Sequence, residues 1–470
     1  MAELHDLTAL EQAAAVRRGE VSAAELVEHC AARIARHDAA VGAFVTLTLD
    51  AAREQARAAD GAVAAGEDLP PLHGVPTAIK DLNLTAGVRT MFGSRAMRDF
   101  VPPIDDVAVQ RLRAAGTISL GKTNTPEFGL PCYTEPDVAP PARTPWDLSR
   151  SAGGSSGGAA AAVATGLVPF AQGSDGGGSI RIPASVCGLY GLKPARGRIS
   201  NGPVVGDVTG LPTNGALTRT VADAAAVLDA LAGPSAGDPF WAPPPAQTFL
   251  SAVGEDPGRL RVGRYCTPVL QGADLHPECR AAWDGASALL EDLGHDVVDV
   301  EPPFGPEMKP HFEVLWSVSA AGFPLDPAKE HELRPLTRWL RERGRQTSAT
   351  TFTAAVSALQ LGTRRAVTAT AHCDVVLTPT LAQLPAPVGW FRDAGDPRAE
   401  FDRMAEWTPF TAVYNTTGQP AASVPLHWTA AGLPVGVMLV GRPADELTVL
   451  RLSAQLEAAR PWRHRHPALW

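Results

Sequence analysis

The sequence predicts one large α/β domain built around a mixed or parallel β-sheet. Near residue 260 the apolar run "RLRVGRY" precedes the amphipathic segment "PECRAAWDGASALLEDLG" and a second apolar run, "HDVVDVEPP", which is the order strand, helix, strand. From Pro70 to about Ala216, short apolar runs alternate with glycine- and proline-rich turns. Near the C-terminus, "CDVVLTPT" and "GVMLVG" are typical of buried strands, and "ELTVLRLSAQLEAA" is typical of a closing helix.

The first sixty residues predict helices. The segment "SAAELVEHCAARIARHD" begins at Ser22 and has Glu25 three positions later, which is a capping-box pattern before an amphipathic run. The segment "FVTLTLD" predicts a short extended link. We therefore expect residues 1–68 to form an N-terminal helical segment packed on the core, and residues 69–470 to form one globular unit.

A helix and a surface crossing are predicted in the middle of the chain. The segment "TVADAAAVLDALAG" predicts a helix with Thr220 as its N-cap and Gly233 just past its end. The proline-rich stretch near residues 234–247 predicts a surface crossing. Because strand and helix patterns continue after it, we favour one domain over two.

Composition and charge exclude several classes of protein. The chain has 470 residues, of which 45% are hydrophobic and 19% charged, so it can bury a sizeable core. Its net charge of −9 and its lack of a Lys/Arg block argue against nucleic acid as a partner. The six cysteines include no C-x-x-C pair, which predicts reduced thiols. No signal peptide or membrane span is visible, so we expect a cytoplasmic protein without membrane contact.

Two glycine- and serine-rich loops stand out, "GGSSGGAAAA" from Gly153 and "GSDGGGSIRIPASVCG" from Gly173. A phosphate-binding P-loop needs a lysine after its last glycine, and neither loop has one. The first loop also lacks the spacing of a dinucleotide fingerprint. Taken alone, either loop could be an ordinary turn.

Further motifs in fixed order change this interpretation. "HGVPTAIKDL" begins at His73 and "GKTNTPEF" at Gly121, upstream of the two loops, and "PFTAVYNTTGQPAASVPL" begins at Pro409. Together with "SAGGSSGGAAAAVATG" and "GSDGGGSIRIPASVCGLYGLKP", this set strongly resembles the amidase signature family of serine hydrolases. The resemblance extends from about Thr8 to Pro461. It implies a single amidase-signature domain in which helices flank a mixed central sheet on both sides, with residues 69–470 as its catalytic part.

The resemblance implies Lys80 as base, Ser155 as bridging serine and Ser179 as nucleophile. A serine hydroxyl is a weak nucleophile until a base takes its proton, and a lysine can do so only when burial has made it neutral. We expect Lys80 to reach inward from the loop after "VPTAI", and Ser155 to relay a proton from Ser179. The family also implies a cis peptide bond between Gly154 and Ser155.

The glycine run before Ser179 is expected to stabilise negative charge. Backbone N–H groups aimed at the former carbonyl oxygen stabilise a tetrahedral intermediate, and glycines let the backbone come close. Asp175 and Arg181 flank the run and are predicted to form an ion pair that fixes it, although ordinary surface charges are the alternative. The resemblance implies an oxyanion hole made by the N–H groups of Gly176, Gly177, Gly178 and Ser179.

A substrate pocket is predicted from the segments near these loops. "FGLPCYTEP" resembles the segment that lines the acyl pocket in this family. The segment "FEVLWSVSAAGFPLD" and the regions around Trp339, Trp390 and Trp407 are further places where we expect substrate selection. Cys187 is predicted to be core packing. The twelve histidines form no metal-binding pattern, so we expect no metal and no cofactor. The residues predicted to contact substrate are Gly129, Cys132 and Trp316.

Within the family, two functions are compatible with these motifs. One is a stand-alone hydrolase, monomeric or homodimeric, acting on a small and fairly hydrophobic amide, anilide or carbamate, with a possible esterase side activity. The alternative is the A-type subunit of a glutamine-dependent aminoacyl-tRNA amidotransferase. That subunit usually has threonine where this chain has Gly176, and this chain is acidic, so the first function is favoured. A non-catalytic binding protein is disfavoured because all three catalytic residue types are present.

Overall fold

Two β-sheets organise the chain in a computed structural model that describes residues 3–204, 206–270 and 272–470. Short hydrophobic runs form most of the strands, and five of the eleven strands in the described residues, β2, β5, β6, β9 and β11, are buried at every residue. The strands of the described residues are β1 (Phe44–Leu47), β2 (Pro76–Lys80), β3 (Ile118–Thr123), β4 (Phe170–Asp175), β5 (Tyr190–Lys193), β6 (Thr213–Thr218), β7 (Arg261–Arg264), β8 (Asp296–Asp299), β9 (Val375–Pro379), β10 (Ala421–Trp428) and β11 (Pro434–Gly441).

Helices connect most of these strands and account for most of the remaining regular structure. Several short 3₁₀ turns lie between them. The α-helices of the described residues are α1 (Ala9–Arg17), α2 (Ala23–Val41), α3 (Leu49–Ala64), α4 (Val107–Ala114), α5 (Gly157–Ala164), α6 (Arg181–Cys187), α7 (Val221–Leu231), α8 (Phe249–Ala252), α9 (Pro277–Asp292), α10 (Lys309–Gly322), α11 (Pro335–Gln346), α12 (Ala349–Ala369), α13 (Pro397–Trp407), α14 (Thr411–Thr417) and α15 (Glu446–Ala459).

The large sheet is mixed and has eight strands in the order β4-β6-β5-β10-β11-β9-β7-β8. β7 pairs in parallel with both β8 and β9, whereas the other pairs in this sheet are antiparallel. The predicted strand, helix, strand unit is present as β7, α9 and β8. A second, three-stranded sheet has the order β1-β3-β2, and the sequence did not predict it as a separate sheet.

Helices cover both faces of the large sheet. Neighbouring residues of a strand point to opposite faces, and β11 shows the consequence. Val437 and Leu439 belong to one hydrophobic cluster with α7, α9 and α15, whereas Met438 and Val440 belong to another with α10, α12 and α14. This arrangement confirms the predicted α/β fold with a mixed central sheet flanked on both sides.

The N-terminal helices begin where the sequence indicates. The Ser22 hydroxyl accepts a hydrogen bond from the Glu25 N–H, and the Glu25 carboxylate accepts one from the Ser22 N–H, so the predicted capping box is confirmed. Thr220 caps α7 as predicted. The chain is irregular between α7 and α8. The division between residues 68 and 69, and the monomeric or homodimeric state, stay predictions.

None of the helices in the described residues is both long enough and apolar enough to cross a membrane.

Candidate active site

Lys80 is the last residue of β2, not part of the loop in which we expected it. Its strand is buried throughout, and its side chain is completely inaccessible to solvent. The backbone N–H of Lys80 donates to Oε1 of Gln172 over 3.0 Å, which joins the end of β2 to β4 of the large sheet. A strand end supported from a second sheet holds a side chain more firmly than a loop does.

The Lys80 ammonium has an acceptor for each of its three protons. Nζ lies 2.8 Å from Oγ of Ser155, 3.1 Å from Oγ of Ser174 and 3.2 Å from the Ser174 carbonyl oxygen. Burial lowers the pKa of Lys80 to about 7, although the Asp175 carboxylate acts in the opposite direction. In a substantial fraction of the protein molecules the Lys80 side chain is therefore a neutral amine at neutral pH. Such an amine can accept a proton from Ser155.

The peptide bond between Gly154 and Ser155 is cis, as predicted. The glycines around it are required by close contacts. A β-carbon on Gly154 would lie 2.8 Å from the backbone carbon of Tyr133, and one on Gly158 would overlap the backbone N–H of Asn124. The loop therefore packs tightly against neighbouring backbone, and it presents the Ser155 hydroxyl to Lys80.

Ser179 lies just before α6, where the second loop turns into the helix, and it borders the cavity described below. Its carbonyl oxygen accepts a hydrogen bond of 3.1 Å from the backbone N–H of Ser156. This bond joins the loop that carries Ser179 to the loop that carries Ser155. The structure thus brings the loops that carry Ser155 and Ser179 together, and Lys80 is hydrogen-bonded to Ser155.

The glycine run before Ser179 differs in one respect from the prediction. The N–H of Gly178 donates to Oδ1 of Asp175 over 2.8 Å, so it is not free to bind an oxyanion, and the expectation for Gly178 was wrong. Within the described residues, the N–H groups of Gly176, Gly177 and Ser179 have no hydrogen-bond acceptor. Gly178 is instead needed for the turn, since its φ is +133° and a β-carbon there would overlap Thr411.

Asp175 and Arg181 form the predicted ion pair, and both side chains are fully buried. The guanidinium of Arg181 contacts both carboxylate oxygens, with Nη2 2.9 Å from Oδ1 and Nε 3.0 Å from Oδ2. Burial acts to raise the pKa of Asp175, but Arg181 and the hydrogen bond from Asn415 hold it well below its usual range. The carboxylate thus stays ionised and fixes the turn by accepting from the Gly178 N–H.

A cavity of about 130 Å³ opens onto Ser179 and Gly177, and its wall is almost entirely apolar. Lys309 is the one charged side chain among the lining residues in the described part of the chain, and it forms an ion pair of 2.6 Å with Asp402. The remaining wall residues are Leu130, Pro131, Cys132, Ile182, Val269, Leu270, Phe304, Gly305, Met308, Phe312, Trp316, Leu359, Phe401, Met404, Ala405, Thr408, Pro409, Ala412, Val413 and Thr416.

The predicted pocket residues are only partly found in this wall. Cys132 and Trp316 line the cavity, whereas Gly129 does not. A β-carbon on Gly129 would lie 2.5 Å from Cδ1 of Leu82 and 3.3 Å from Oγ of Ser155, so this glycine leaves room beside the bridging serine and does not border the cavity. Of the three tryptophan regions at which we also expected substrate selection, the one around Trp407 reaches the wall through Ala405 and Thr408, whereas Trp339 and Trp390 do not line the cavity.

Cys187 packs in the core, as predicted. It is 1% exposed, and burial raises the pKa of its thiol to about 12, which makes it a poor nucleophile. All six cysteines are free. In the part of the chain that the structure describes, no group of three or more histidine, cysteine, aspartate or glutamate side chains is arranged to hold a metal ion.

Sequence reasoning missed several residues of the site. Ser174 supplies two of the three acceptors around Lys80, and Gln172 holds the backbone of Lys80. Both lie in β4, directly before the glycine run, so their position next to the motif is a signal that could have found them. Thr411 and Asn415 lie in "PFTAVYNTTGQP" and contact the Asp175–Arg181 pair and its turn.

Comparison with known proteins agrees with this geometry. The family model "Amidase" matches residues 25–450. The putative amidase AmiB2 of Mycobacterium tuberculosis is 40% identical over 464 residues, which cover 98% of each chain. A solved structure of 6-aminohexanoate cyclic dimer hydrolase superposes with a TM-score of 0.92 at 35% identity and covers all of both chains. A bacterial aryl acylamidase of the amidase signature family gives a TM-score of 0.88 at 27% identity and covers 98% of each.

The chain belongs to the amidase signature family, and it is an amidase-family hydrolase.

Proposed function

We propose that this protein hydrolyses the C–N bond of small, fairly hydrophobic amides, anilides or carbamates through an acyl-enzyme formed on Ser179. The observation that carries this proposal is the environment of Lys80. The side chain is fully buried, its Nζ lies 2.8 Å from Oγ of Ser155, and its pKa of about 7 makes the neutral amine available. A buried lysine of this kind can act as a general base at neutral pH.

In the first half of the reaction, Lys80 takes the proton of the Ser155 hydroxyl while Ser155 takes that of Ser179. The Ser179 oxygen attacks the carbonyl carbon and forms a tetrahedral intermediate with negative charge on the former carbonyl oxygen. The unpaired N–H groups of Gly176, Gly177 and Ser179 would donate to this oxygen. Losing one such donor typically costs about 2.7–4 kcal/mol of barrier.

In the second half, the proton returns from Lys80 through Ser155 to the nitrogen of the leaving group. The C–N bond breaks and the amine departs, which leaves the acyl group on Ser179. Water then attacks the acyl carbon and gives its proton to the same relay, and Ser179 regains a proton as the acid leaves. An ester would follow the same course, and this accounts for the proposed esterase side activity.

The apolar cavity supports a hydrophobic substrate. Its wall offers aromatic and aliphatic side chains, while the charge of Lys309 is already paired with Asp402. The structural relatives are named for a cyclic amide dimer and for aryl amides, and both descriptions fit an uncharged amide in such a pocket. Carbamates are included because their scissile bond is also a C–N bond next to a carbonyl group.

The amidotransferase subunit that the sequence left as the alternative is less well supported. Glutamine carries a carboxylate and an ammonium group, and burying charges without partners is costly. Apart from the paired Lys309, the cavity wall has no charged side chain among the described residues. Release of ammonia from glutamine, but not from hydrophobic amides, would favour this alternative.

A panel of hydrophobic p-nitroanilides, amino-acid amides, aryl esters and aryl carbamates tests the proposal, with Ser179→Ala as matched control. We expect turnover of the hydrophobic members by the wild-type protein and loss of that turnover in the variant. If the folded wild-type protein turned over no member of the panel, or if the variant were equally active, the proposal would be wrong.

A further inference from the structure

The three glycines before Ser179 differ in the structural constraint that each position places on its side chain. Gly178 has a left-handed φ, but Gly176 and Gly177 do not, so their backbone conformation is open to other residues. Among the residues that the structure describes, one side chain lies next to the β-carbon position of Gly176. A β-carbon placed on this glycine would lie 3.4 Å from Cη2 and 3.5 Å from Cζ3 of Trp316, and no other described residue beyond its chain neighbours lies within 4 Å of that position. The indole therefore occupies the space that a larger side chain at position 176 would need.

Two rings of α10 lie against this part of the loop. Phe312 and Trp316 are one helical turn apart and stack with their ring centroids 5.3 Å apart. A β-carbon on Gly177 would lie 3.7 Å from Cζ of Phe312 and 3.8 Å from Cη2 of Trp316. The stacked pair thus forms a flat wall beside the N–H groups that are available to a carbonyl oxygen.

Charged contacts hold α10 in place. Glu313 lies between the two aromatic residues in sequence, is 4% exposed, and contacts Nη2 of Arg343 at 2.8 Å and Nη1 of Arg398 at 2.9 Å. These arginines belong to α11 and α13. One turn earlier, Lys309 pairs with Asp402 of α13. Because α10 is tied to two neighbouring helices, the indole does not easily yield to a bulky group.

We propose that Trp316 and Gly176 act together as the specificity-determining pair of this enzyme, and that they favour substrates whose carbonyl group carries a flat ring or an unbranched chain. This inference rests on the proposed function. With the carbonyl oxygen held by Gly176 and Gly177, the group on the carbonyl carbon runs along the indole. A planar or straight group fits this slot, whereas branching at the carbon next to the carbonyl directs a methyl group into the ring.

The test compares p-nitrophenyl butyrate with p-nitrophenyl pivalate, each rate being divided by the rate of hydroxide hydrolysis of the same ester. Wild-type enzyme is expected to prefer butyrate. Trp316→Ala is expected to raise kcat/KM for pivalate relative to butyrate by about tenfold or more, since one methyl group in a tight apolar pocket is worth about 10–200-fold. Trp316→Leu gives the same comparison if alanine destabilises the helix. The exposed Trp241→Ala is the matched control and should leave the ratio unchanged.

A second variant tests the pairing itself. Gly176→Val alone should lower kcat/KM for butyrate, because its γ-carbons would meet the indole, and adding Trp316→Ala should recover most of that loss. Equal effects of Trp316→Ala on both esters, or no recovery in the double variant, would refute the proposed specificity pair. Neither result would contradict the proposed hydrolysis through Ser179. Absence of any ester turnover by folded wild-type protein would overturn the proposed function and this inference with it.

Discussion

Replacing Lys80 by methionine separates the two steps in which the proposed relay moves a proton. Methionine is nearly as long as lysine and suits a fully buried site, but it can neither accept nor return a proton. General acid–base catalysis contributes about 10²–10⁴-fold to a rate. We therefore expect a loss of about 10²-fold or more for attack on any substrate.

The amide should lose considerably more than the ester. An amine leaves only when its nitrogen has been protonated, whereas p-nitrophenolate leaves without a proton. The assay measures kcat/KM of wild-type enzyme and Lys80→Met on a p-nitroanilide and a p-nitrophenyl ester with the same acyl group. Equal losses on the two substrates would refute the role of Lys80 in protonating the leaving group.

The pH profile of the wild-type enzyme provides a second measure of the same group. Burial lowers the pKa of Lys80 to about 7, and only the neutral amine accepts a proton. As the pH falls through about 7, Lys80 gains a proton and kcat/KM should fall about tenfold per pH unit. A profile that stays flat down to pH 5 would contradict a lysine base.

Three further predictions concern the surroundings of the relay. Gly178→Ala should lower the melting temperature and the activity, because the new β-carbon would overlap Thr411. The control is Gly61→Ala, which adds a β-carbon in open space and should not lower the activity. Asp175→Asn leaves Arg181 buried without a counter-charge and should cost about 3–5 kcal/mol of unfolding free energy in urea titrations; a loss below about 1 kcal/mol would contradict this. Glu313→Gln weakens the ion pairs of Glu313 with Arg343 and Arg398, and because partly exposed ion pairs contribute at most about 1 kcal/mol, KM should rise by up to about fivefold with little change in kcat. An unchanged KM would show that these contacts do not hold α10.

Local motifs allowed much of the fold and of the reacting groups to be predicted. The unit β7, α9, β8 follows from hydrophobic periodicity, and the ends of α2 and α7 follow from their capping residues, because both signals depend on neighbours in sequence. Lys80, Ser155 and Ser179 lie in long motifs whose order is itself informative. The resemblance did not indicate that Lys80 ends a strand of a separate sheet, because the pairing of β2 with β3 is a tertiary feature.

The substrate pocket could be predicted only in part. Val269, Phe304 and Phe401 come from segments far apart in the chain, and each has the sequence pattern of ordinary core residues. Gly178 shows a different limit of prediction from the sequence. A glycine that supplies an N–H and a glycine that makes a turn look the same in sequence, and only the structure, through the positive φ of Gly178 and its bond to Asp175, distinguishes them.

The central claim is that Ser179 is the nucleophile and that Lys80 and Ser155 activate it. The most direct test is the reaction of the wild-type protein with a fluorophosphonate probe, followed by mass spectrometry of the labelled peptide. We expect one covalent adduct on Ser179, formed much more slowly in Lys80→Met and absent in Ser179→Ala. Folded wild-type protein that carried no adduct on Ser179, or carried one on another serine, would contradict this claim.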